Sequence, residues 1–379
     1  MAQYRADAAP NKVDLGVGVY RDLAGNTPVL RCVRQAEQAI FHGQNTKSYV
    51  APAGREEFNS RVEELVLGGT PGAPQRPYRT AQTPGGSGAL RVGAELIRLS
   101  LPTATVHVSD PTWANHLALL GSSGLKLKSY PYYDSVTHVL RFNETLEYFD
   151  QARAGDVVLL HACCHNPTGA DWSRTQWQQI LAVVTRRQLI PFVDLAYQGF
   201  GRGLHEDVEG LRLICAALPE ALVAVSFSKN LGLYRERVGA LIVQCEDSTR
   251  AEAVHSHVLK VARSIYSMPP DHGAAIAAFI MADAALKEDW VLELNSMRTR
   301  IEDMRALLTR HLNEATASTK FDFIKSQRGM FSLLGVSSQI VDKLRQRHIY
   351  MTPDSRMNLA GIMPHNVAYV AESISLCDS

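Results

Sequence analysis

The sequence predicts an α/β fold in which helices cover a parallel β-sheet, and two observations support this prediction. Short apolar runs typical of buried strands alternate along the chain with helical patterns such as Thr175 to Gln188. At 379 residues with 46% hydrophobic content, the chain can bury one large core and a smaller satellite domain. No Pro/Gly/Ser-rich linker, internal repeat or low-complexity tract interrupts it. We therefore expect one large α/β domain with a smaller domain attached.

The first segment with chemical potential is a glycine-rich stretch, Gln82 to Gly88, which opens the helical pattern Ala89 to Leu99. Glycines such as Gly86 let backbone N–H groups approach a phosphate at a helix N-terminus, and Ser87 adds a hydroxyl donor. A dinucleotide-binding G-x-G-x-x-G pattern would need a third glycine where the chain has Arg91. The stretch therefore predicts a phosphate contact of another kind.

An aromatic residue and a histidine follow in the segment Pro111 to His116. Trp113 offers a flat face that can stack on a planar ring. His116 is a candidate to support a buried carboxylate such as Asp194. The segment therefore predicts one wall of a ring-binding site.

Polar side chains follow two further strand-like runs. Asp156 to His161 leads into a turn that contains Asn166, a candidate hydrogen-bond donor, although such turns are common in any protein. Leu189 to Val193 is closed by Asp194 and followed by Tyr197. A buried carboxylate at this place can keep a pyridine nitrogen protonated, and a phenol three residues later can reach a ring oxygen. The alternative is that Asp194 caps a helix or forms a turn.

A lysine follows the apolar run Leu222 to Val225, in the sequence Ser226-Phe227-Ser228-Lys229. A buried lysine is costly unless its charge is removed or compensated, and a Schiff base to an aldehyde cofactor removes it. Pyridoxal 5′-phosphate (PLP) is such a cofactor, and its phosphate needs hydroxyl donors and an arginine such as Arg237. The alternative, a surface lysine after an edge strand, is equally compatible with these four residues alone.

Charge and targeting signals exclude other classes of function. Thirty-nine basic against 38 acidic residues give a formal charge of +1, which offers no electrostatic case for nucleic acid. The opening residues Met1 to Asp7 lack an apolar signal segment, and no run approaches membrane-spanning length. Six cysteines without a framework pattern point to the reduced cytosol. We therefore expect a cytoplasmic protein that binds neither nucleic acid nor membranes.

Two rival sites are weighed against the PLP hypothesis. The cluster His161 to His165 contains two cysteines and suggests zinc, but strand alternation would split its side chains and no second ligand cluster is present. We predict no metal. Ser226 to Lys229 also fits the Ser-x-x-Lys pattern of penicillin-recognising acylases, yet the companion motifs Ser-Asp-Asn and Lys-Thr-Gly are missing.

Taken in order, these motifs resemble those of the aspartate/aromatic amino acid aminotransferase group, class I aminotransferases of the fold-type I PLP enzymes. The resemblance runs from Val13–Tyr20 to Arg356–Gly361, nearly the whole chain. The segments that carry it most specifically are Thr83–Gly86, Cys164–Gly169, Asp194–Phe200 and Ser228–Asn230.

The resemblance implies the PLP-dependent transferase fold type I, with a mostly parallel seven-stranded sheet in a large domain and a smaller α/β domain. The large PLP-binding domain is expected at residues 29–296. The small domain is expected to be discontinuous, formed by residues 1–28 and 297–379. The division would fall inside a long helix that spans about Ala285 to Leu312.

Catalytic roles follow from the resemblance residue by residue. Lys229 binds the cofactor covalently and then moves a proton at the substrate α-carbon, so it is expected to be catalytic together with Asp194 and Tyr197. Asp194 pairs with the pyridinium nitrogen, supported by His116, while Tyr197 and Asn166 bond the ring oxygen. The implied cofactor-binding set is Gly86, Ser87, Trp113, His116, Asn166, Asp194, Tyr197, Ser226, Ser228, Lys229 and Arg237, joined by Tyr49 from a partner subunit.

The substrate side is implied in the same way. Arg356 matches the arginine that grips the α-carboxylate, for which a planar guanidinium is well shaped. Gly18 matches the position whose backbone approaches the same carboxylate, and Trp113 and Asn166 complete the predicted substrate contacts. Arg263 matches the arginine that reaches across the dimer to a distal carboxylate. On its residues alone, Arg263 reads as an ordinary helix-surface residue.

The implied function is a PLP-dependent transaminase, a homodimer with shared active sites. It would move the amino group of aspartate, glutamate or an aromatic amino acid to a 2-oxo acid such as 2-oxoglutarate by a ping-pong mechanism. One alternative is another PLP reaction on the same fold, such as β-decarboxylation of aspartate. A catalytically weak PLP-binding homologue is the other, and the presence of Lys229, Asp194 and Arg356 argues against it.

Several positions depart from the pattern of the group. The usual N-terminal arm is expected to be absent before Met1. Ser355 stands where glycine is common and Ile265 where asparagine is common, and we expect both to shift the carboxylate clamps slightly. Met268 adds a flexible apolar chain that can repack around a ring beside Arg263. We therefore expect activity with aspartate, glutamate and at least one of phenylalanine or tyrosine, with dicarboxylates favoured.

Overall fold

The protein alternates helices and strands along most of its length, as described by a computed structural model for residues 2–68 and 77–378. The strands are β1 (Val13–Asp14), β2 (Tyr78–Pro84), β3 (Thr105–Asp110), β4 (Lys126–Pro131), β5 (Tyr133–Asp134), β6 (Val139–Leu140), β7 (Val157–His161), β8 (Ile190–Leu195), β9 (Ala221–Ser226), β10 (Val238–Gln244), β11 (Phe331–Leu333), β12 (Ile349–Tyr350) and β13 (Arg356–Asn358). The helices are α1 (Ala2–Ala6), α2 (Arg31–Gly43), α3 (Glu56–Leu67), α4 (Gly85–Ser100), α5 (Ala114–Gly121), α6 (Phe142–Asp150), α7 (Arg174–Arg187), α8 (Glu209–Ala217), α9 (Ser248–Tyr266), α10 (Asp271–Ala282), α11 (Ala284–Thr316), α12 (Phe323–Ser326), α13 (Ser338–Gln346) and α14 (Val367–Asp378).

A seven-stranded sheet forms the centre of the molecule, in the order β2-β10-β9-β8-β7-β3-β4. Strands β9, β8, β7, β3 and β4 run parallel to their neighbours in that order, and β10 is antiparallel to both β9 and β2. Parallel neighbours need crossover connections, which the intervening helices provide. The mostly parallel seven-stranded sheet is therefore confirmed.

Helices cover both faces of this sheet, and β7 shows why its sequence is continuously apolar. Val157 and Leu159 pack in one apolar cluster with residues of α4 and α9. Val158 and Leu160 pack in another with residues of α6 and α7. Because successive side chains of a strand point to opposite faces, a strand covered on both sides must be apolar throughout.

The carboxyl ends of the parallel strands meet at one edge of the sheet, which places the predicted site residues. His161 at the end of β7 pairs with Asp194 of β8, and Asp194 pairs with Ala224 of β9. Ser226 ends β9, so residues 227–237, which connect β9 to the antiparallel β10, lie at the same edge. This edge is where open α/β sheets bind ligands.

A second, smaller group of elements joins the two ends of the chain. Val13 of β1 pairs in parallel with Ile349 of β12, and β11 pairs in antiparallel with β13. Helices α11 and α14 pack against each other beside these strands. Because α11 runs without a break from Ala284 to Thr316, the division at positions 296 and 297 stays a prediction.

Helix boundaries agree with the sequence within a few residues, with one instructive difference. Helix α7 (Arg174–Arg187) agrees with the predicted Thr175 to Gln188 within one residue at each end, and it begins with a capping box between Ser173 and Gln176. Helix α4 begins at Gly85 rather than after the glycines. The glycine-rich stretch is therefore the first turn of the helix itself. Within the described residues, no helix has the length and apolar character needed to cross a membrane.

Candidate active site

A cavity of about 230 Å³ lies at the carboxyl edge of the sheet. Its walls come from the first turns of α4, the residue before α5, the ends of β7, β8 and β9 with the segments that follow them, and one N-terminal residue. The lining residues are Gly18, Gly86, Ser87, Leu90, Trp113, His161, Asn166, Asp194, Ala196, Tyr197, Ser226, Ser228, Lys229, Tyr234 and Arg237. Most of the side chains predicted from separate segments of the sequence therefore lie around one space.

Lys229 extends into this cavity just after β9. Burial lowers the pKa of its ammonium to about 8, against the opposing effect of Asp194 and with the help of Arg237 and Arg356. Its Nζ lies 5.0 Å from the centre of the Tyr197 ring. A lysine with this pKa is a far better nucleophile near neutral pH than a solvent-exposed one.

Asp194 and His116 form a fully buried pair beneath the cavity. His116 Nε2 lies 2.9 Å from Asp194 Oδ2, and His116 Nδ1 lies 2.9 Å from the Thr112 hydroxyl. Burial alone would raise the pKa of Asp194, but the hydrogen bond to His116 and the nearby charge of Lys229 hold it below its ordinary value. Asp194 is therefore an anion that faces the cavity.

Two further histidines, His161 and His165, lie next to this pair, and the sequence did not identify them as part of the site. The rings of His161 and His165 are 4.1 Å apart, and His161 lies 5.1 Å from His116. Burial lowers the pKa of His161 to about 3, helped by repulsion from His116. The position of His161 at a strand end, in register with Asp194, was the available signal.

The cysteines of the same segment turn away from these histidines. Among the described residues, ligand atoms of Cys163, Cys164 and Asp207 lie within 4.8 Å of one another. The Asp207 carboxylate, however, accepts the amides of Gly199 and Gly201, which ties it to the loop after Tyr197. Cys163 and Cys164 lie together beside Asp207 in the core, and His161 lines the cavity. Because β7 ends at His161, strand alternation does not divide the side chains of this cluster as predicted, and the absence of a metal stays a prediction.

Tyr197 and Asn166 both line the cavity and lie next to each other. Asn166 Nδ2 lies 3.4 Å from the Tyr197 hydroxyl, a long hydrogen bond. Burial raises the pKa of Tyr197, so its phenol is a neutral donor at ordinary pH. The Asn166 segment is held by Asp171, whose carboxylate accepts the amides of Cys164 and His165 at 2.7 and 2.9 Å.

The lysine end of the cavity is lined by donors suited to an anion. Arg237 Nη1 lies 3.3 Å from the Ser228 hydroxyl, and in the described part of the chain no carboxylate forms an ion pair with this arginine. A side chain at Gly85 would meet Arg237 at 2.6 Å, and one at Gly86 would meet Ser226 at 3.0 Å. The glycines therefore allow the first turn of α4 to approach the arginine and the hydroxyls.

These residues fit a PLP molecule. Its aldehyde requires a lysine with a lowered pKa, which Lys229 provides. Its pyridine nitrogen requires a buried carboxylate, which Asp194 provides. Its phosphate requires a guanidinium without a carboxylate partner, which Arg237 provides. The glycine-lined first turn of α4 leaves the space for the phosphate. The single chain therefore offers a group suited to each of these three parts of the cofactor.

Arg356 lies beside the cavity at the start of β13. Its Nη1 donates to Asn166 Oδ1 at 3.1 Å and its Nη2 to the carbonyl of Gly16 at 3.1 Å, while its Nε is buried without a partner. Its guanidinium stacks on the Phe331 ring at 4.3 Å, and the same ring lies 3.1 Å from where a side chain at Gly18 would begin. A small carboxylate between Arg356 and Gly18 would satisfy this charge.

Two predicted residues are not brought to the cavity of their own chain. Tyr49 is 92% exposed in the segment after α2. Arg263 is exposed on the last turn of α9. Both were predicted to act on the site of a partner subunit, and their positions in the single chain leave that prediction open.

Tyr234 is a lining residue that the sequence did not identify. Its hydroxyl accepts the backbone amide of Tyr20 at 2.9 Å, and its carbonyl accepts from Arg237 at 3.1 Å. Tyr234 therefore ties the N-terminal segment that carries Gly18 to the segment that carries Lys229. A polar aromatic residue between the predicted lysine and arginine was the available signal.

Comparison with known proteins places these features in a family. The model of the family described as aminotransferase class I and II matches residues 10–374. The aspartate aminotransferase of Escherichia coli (strain K12) is 43% identical over 98% of this chain and 94% of its own length. The aromatic-amino-acid aminotransferase of Paracoccus denitrificans is 41% identical over 99% of this chain and 95% of its own.

A solved structure supports the same relationship. The aromatic-amino-acid aminotransferase from Burkholderia pseudomallei, covalently bound to pyridoxal phosphate, has a TM-score of 0.96 and 42% identity, covering 99% of this chain and 95% of its own. This confirms the fold-type I prediction and the resemblance from which it came. The chain therefore belongs to the class I and II aminotransferases.

Proposed function

We propose that this aminotransferase binds PLP at Lys229 and moves the amino group of aspartate, glutamate or an aromatic amino acid to a 2-oxo acid such as 2-oxoglutarate. The observation that carries the proposal is the meeting of Lys229, Asp194 and Arg237 around one cavity. Relatives at 43% and 41% identity are named aspartate aminotransferase and aromatic-amino-acid aminotransferase, which supports both substrate classes.

Lys229 holds the cofactor and handles the proton of the substrate. Bound PLP supplies a conjugated ring that accepts the electron pair released at the substrate α-carbon. Lys229 would hold the cofactor covalently, and its amine, when free, would take the proton from the substrate α-carbon and pass it to the cofactor. The pKa of about 8 suits a general base that works near neutral pH.

Asp194 keeps a proton on the ring nitrogen. It is anionic and buried, and its hydrogen bond to His116 fixes the direction of its carboxylate. Tyr197 and Asn166 orient the ring by donating to its oxygen, and Trp113 covers one ring face. Because these groups are set in place before the substrate arrives, they need no rearrangement during the reaction.

The substrate carboxylates are assigned to two arginines. Arg356 holds the α-carboxylate, with Gly18 close by, since this guanidinium has no carboxylate partner among the described residues. We assign the distal carboxylate of aspartate or glutamate to Arg263 of a second copy of this chain, which would also supply Tyr49 to the phosphate. The exposure of both residues supports a homodimer with shared sites.

Two further proposals concern the division of the chain into domains and its location in the cell. We propose that residues 29–296 form the PLP-binding domain and that residues 1–28 with 297–379 form the small domain. The pairing of Val13 with Ile349 supports this arrangement. All six cysteines are free and buried, which supports a cytoplasmic location.

A half-reaction tests the function. Purified protein loaded with PLP is mixed with aspartate alone, and the products are identified. Transamination leaves pyridoxamine phosphate and oxaloacetate, and later addition of 2-oxoglutarate restores PLP and forms glutamate. Alanine as the product would indicate β-decarboxylation instead.

Lys229→Ala is the matched control for this experiment. The variant retains Arg237 and its hydroxyl neighbours, so it should bind PLP without forming product. Borohydride should attach the cofactor to Lys229 in the wild-type protein and leave the variant unlabelled. An adduct elsewhere on the wild-type chain would show that the assignment of Lys229 is wrong.

A further inference from the structure

Arg305 is a buried arginine outside the cavity that forms no ion pair with a carboxylate among the described residues. It lies on α11 and is 2% exposed. Its guanidinium donates instead to oxygen atoms of one segment, 324–332. These acceptors are the carbonyls of Ile324 at 3.2 Å, Arg328 at 3.2 Å, Gly329 at 2.8 Å and Phe331 at 2.5 Å, and the hydroxyl of Ser332 at 2.6 Å.

The charge of Arg305 ties its five oxygen acceptors together, because a shift of any of them would leave part of a buried cation without a partner. Burial lowers the pKa of Arg305 to about 10, so the guanidinium remains charged at neutral pH. A buried cation is costly unless its donors find partners. Here four backbone carbonyls and the Ser332 hydroxyl accept from Nη1 and Nη2 of Arg305, while its Nε has no partner among the described residues. The segment 324–332 must therefore keep its conformation around the guanidinium.

That segment packs against two residues of the site, Arg356 and Tyr197. The Phe331 ring stacks on the Arg356 guanidinium at 4.3 Å and meets the Tyr197 ring edge-on at 5.8 Å. In the backbone, Leu333 of β11 is paired with Arg356 of β13. The position of Arg356 is therefore set by the Phe331 ring and by the pairing of β11 with β13.

The same segment also contacts the loop that carries Asn166. The amide of Arg328 donates to the carbonyl of Gly169 at 2.7 Å. A side chain at Gly329 would overlap Cys164 at 2.4 Å, so the two segments are in close contact. Because Asn166 accepts from Arg356 at 3.1 Å, a shift of residues 324–332 would move both partners of this hydrogen bond.

We infer that Arg305 is a positioning residue for substrate carboxylate binding, acting through Phe331 and β11 on Arg356. The inference rests on the proposed role of Arg356 as the α-carboxylate ligand. Arg305 itself touches neither the cavity nor, on this assignment, the substrate. Arg305 therefore affects how tightly the α-carboxylate is bound, and this binding is equally strong in the ground state and in the transition state. Its loss should raise KM and leave kcat nearly unchanged.

The experiment compares Arg305→Lys with the wild-type enzyme. Lysine keeps the charge but replaces five N–H donors in a fixed fork by three on a flexible chain. KM should rise about 10-fold for both aspartate and phenylalanine, which share the α-carboxylate, while kcat stays within about twofold. The dissociation constant of 3-indolepropionic acid, a carboxylate without an amino group, should rise by the same factor in a calorimetric titration.

Leu312→Ala provides the matched control. Leu312 is fully buried on the same face of α11, two turns beyond Arg305. The substitution should lower the melting temperature at least as much as Arg305→Lys does, and leave KM and the binding of 3-indolepropionic acid unchanged. If Leu312→Ala raises KM to the same extent, the effect of Arg305 is one of general stability and the inference is wrong.

Arg356→Lys separates this inference from the proposed function. If Arg356→Lys leaves the dissociation constant of 3-indolepropionic acid unchanged, the assignment of the carboxylate site fails. If Arg356→Lys weakens binding and Arg305→Lys does not, the function stands and the role of Arg305 is refuted.

Discussion

Single residues in the cavity carry protonation states that differ from those they would have in water. Lys229 has a pKa lowered to about 8, and His161 has a pKa lowered to about 3, in both cases first because of burial. Asp194 stays anionic because His116 and Lys229 outweigh the effect of its burial. The cavity therefore presents one titratable amine, one fixed anion and one neutral imidazole.

Asp194→Ala should abolish most of the activity while leaving cofactor affinity largely intact. The substitution removes the anion that keeps the ring nitrogen protonated, so the ring loses most of its ability to accept electrons. The phosphate donors around Arg237 are untouched. Measurement of kcat and of the PLP dissociation constant checks the expectation. Near-normal turnover would show that another group protonates the ring.

Lys229→Met should stabilise the cofactor-free protein at neutral pH. The folded-state pKa of about 8 lies below the ordinary 10.5, so the folded state disfavours the charged lysine. This penalty is fully present below pH 8 and disappears as the pH rises to 10.5, which makes it about 3 kcal/mol at neutral pH. Urea unfolding of both proteins from pH 7 to 10.5 should show a difference that shrinks with pH. A difference that is constant across this range would contradict the assigned pKa.

At the level of helices and strands, the sequence predicted the features that a local hydrophobic pattern encodes. Apolar runs predicted β8, which contains Asp194 near its end, and β9, which ends three residues before Lys229. The carboxyl ends of parallel strands lie at one edge of the sheet, which explains why both side chains meet there. The contacts of Phe331 with Arg356 and Tyr197 were not predicted. They join residues far apart in the chain, and no local periodicity encodes which side chains meet across two elements.

Ser355 shows how a single position at the start of β13 combines strain with a useful contact. It has a left-handed φ of 64°, and its hydroxyl accepts the amide of Gly335 at 3.0 Å. A glycine, common here in the group, would remove the strain and lose the hydrogen bond. The predicted shift of the carboxylate clamp by Ser355 stays a prediction.

Ser355→Ala and Ser355→Gly should therefore differ in stability. Alanine keeps the strained φ and loses the bond, so it should lower the free energy of unfolding by about 1 kcal/mol. Glycine loses the same bond but relieves a strain of similar size, so it should stay within about 0.5 kcal/mol of the wild type. Urea denaturation measures both. Equal losses for the two variants would mean that the backbone at this position is not strained.

Several large aromatic and aliphatic side chains are exposed to solvent on the surface of the single chain. Tyr49 is 92% exposed and Phe41 80% exposed, while Ile265 beside Arg263 is 43% exposed. Burial of aromatic and aliphatic side chains beside an arginine is typical of subunit interfaces. In the proposed homodimer, each subunit would cover such side chains of the other and bring its own Tyr49 and Arg263 to the partner's cavity.

Arg263→Leu tests the substrate side of this arrangement. Loss of one charge-assisted contact should lower kcat/KM for aspartate by two or more orders of magnitude, about 3 kcal/mol. Activity with phenylalanine should change far less, because its ring carries no distal carboxylate. Steady-state kinetics with aspartate and phenylalanine shows whether Arg263 binds the distal carboxylate or has a structural role. Equal losses would show that Arg263 is structural.

Mixing two inactive variants tests whether the sites are shared. Lys229→Ala lacks the catalytic amine but retains Arg263, and Arg263→Leu has the reverse defect. In a mixed dimer one site contains Lys229 of the Arg263→Leu chain and Arg263 of the Lys229→Ala chain, so it is complete. Unfolding and refolding the two variants together should restore aspartate activity, up to about a quarter of the wild-type value for random pairing of equal amounts. If Arg263 served its own subunit, every site in the mixture would lack one of the two groups and no activity would return.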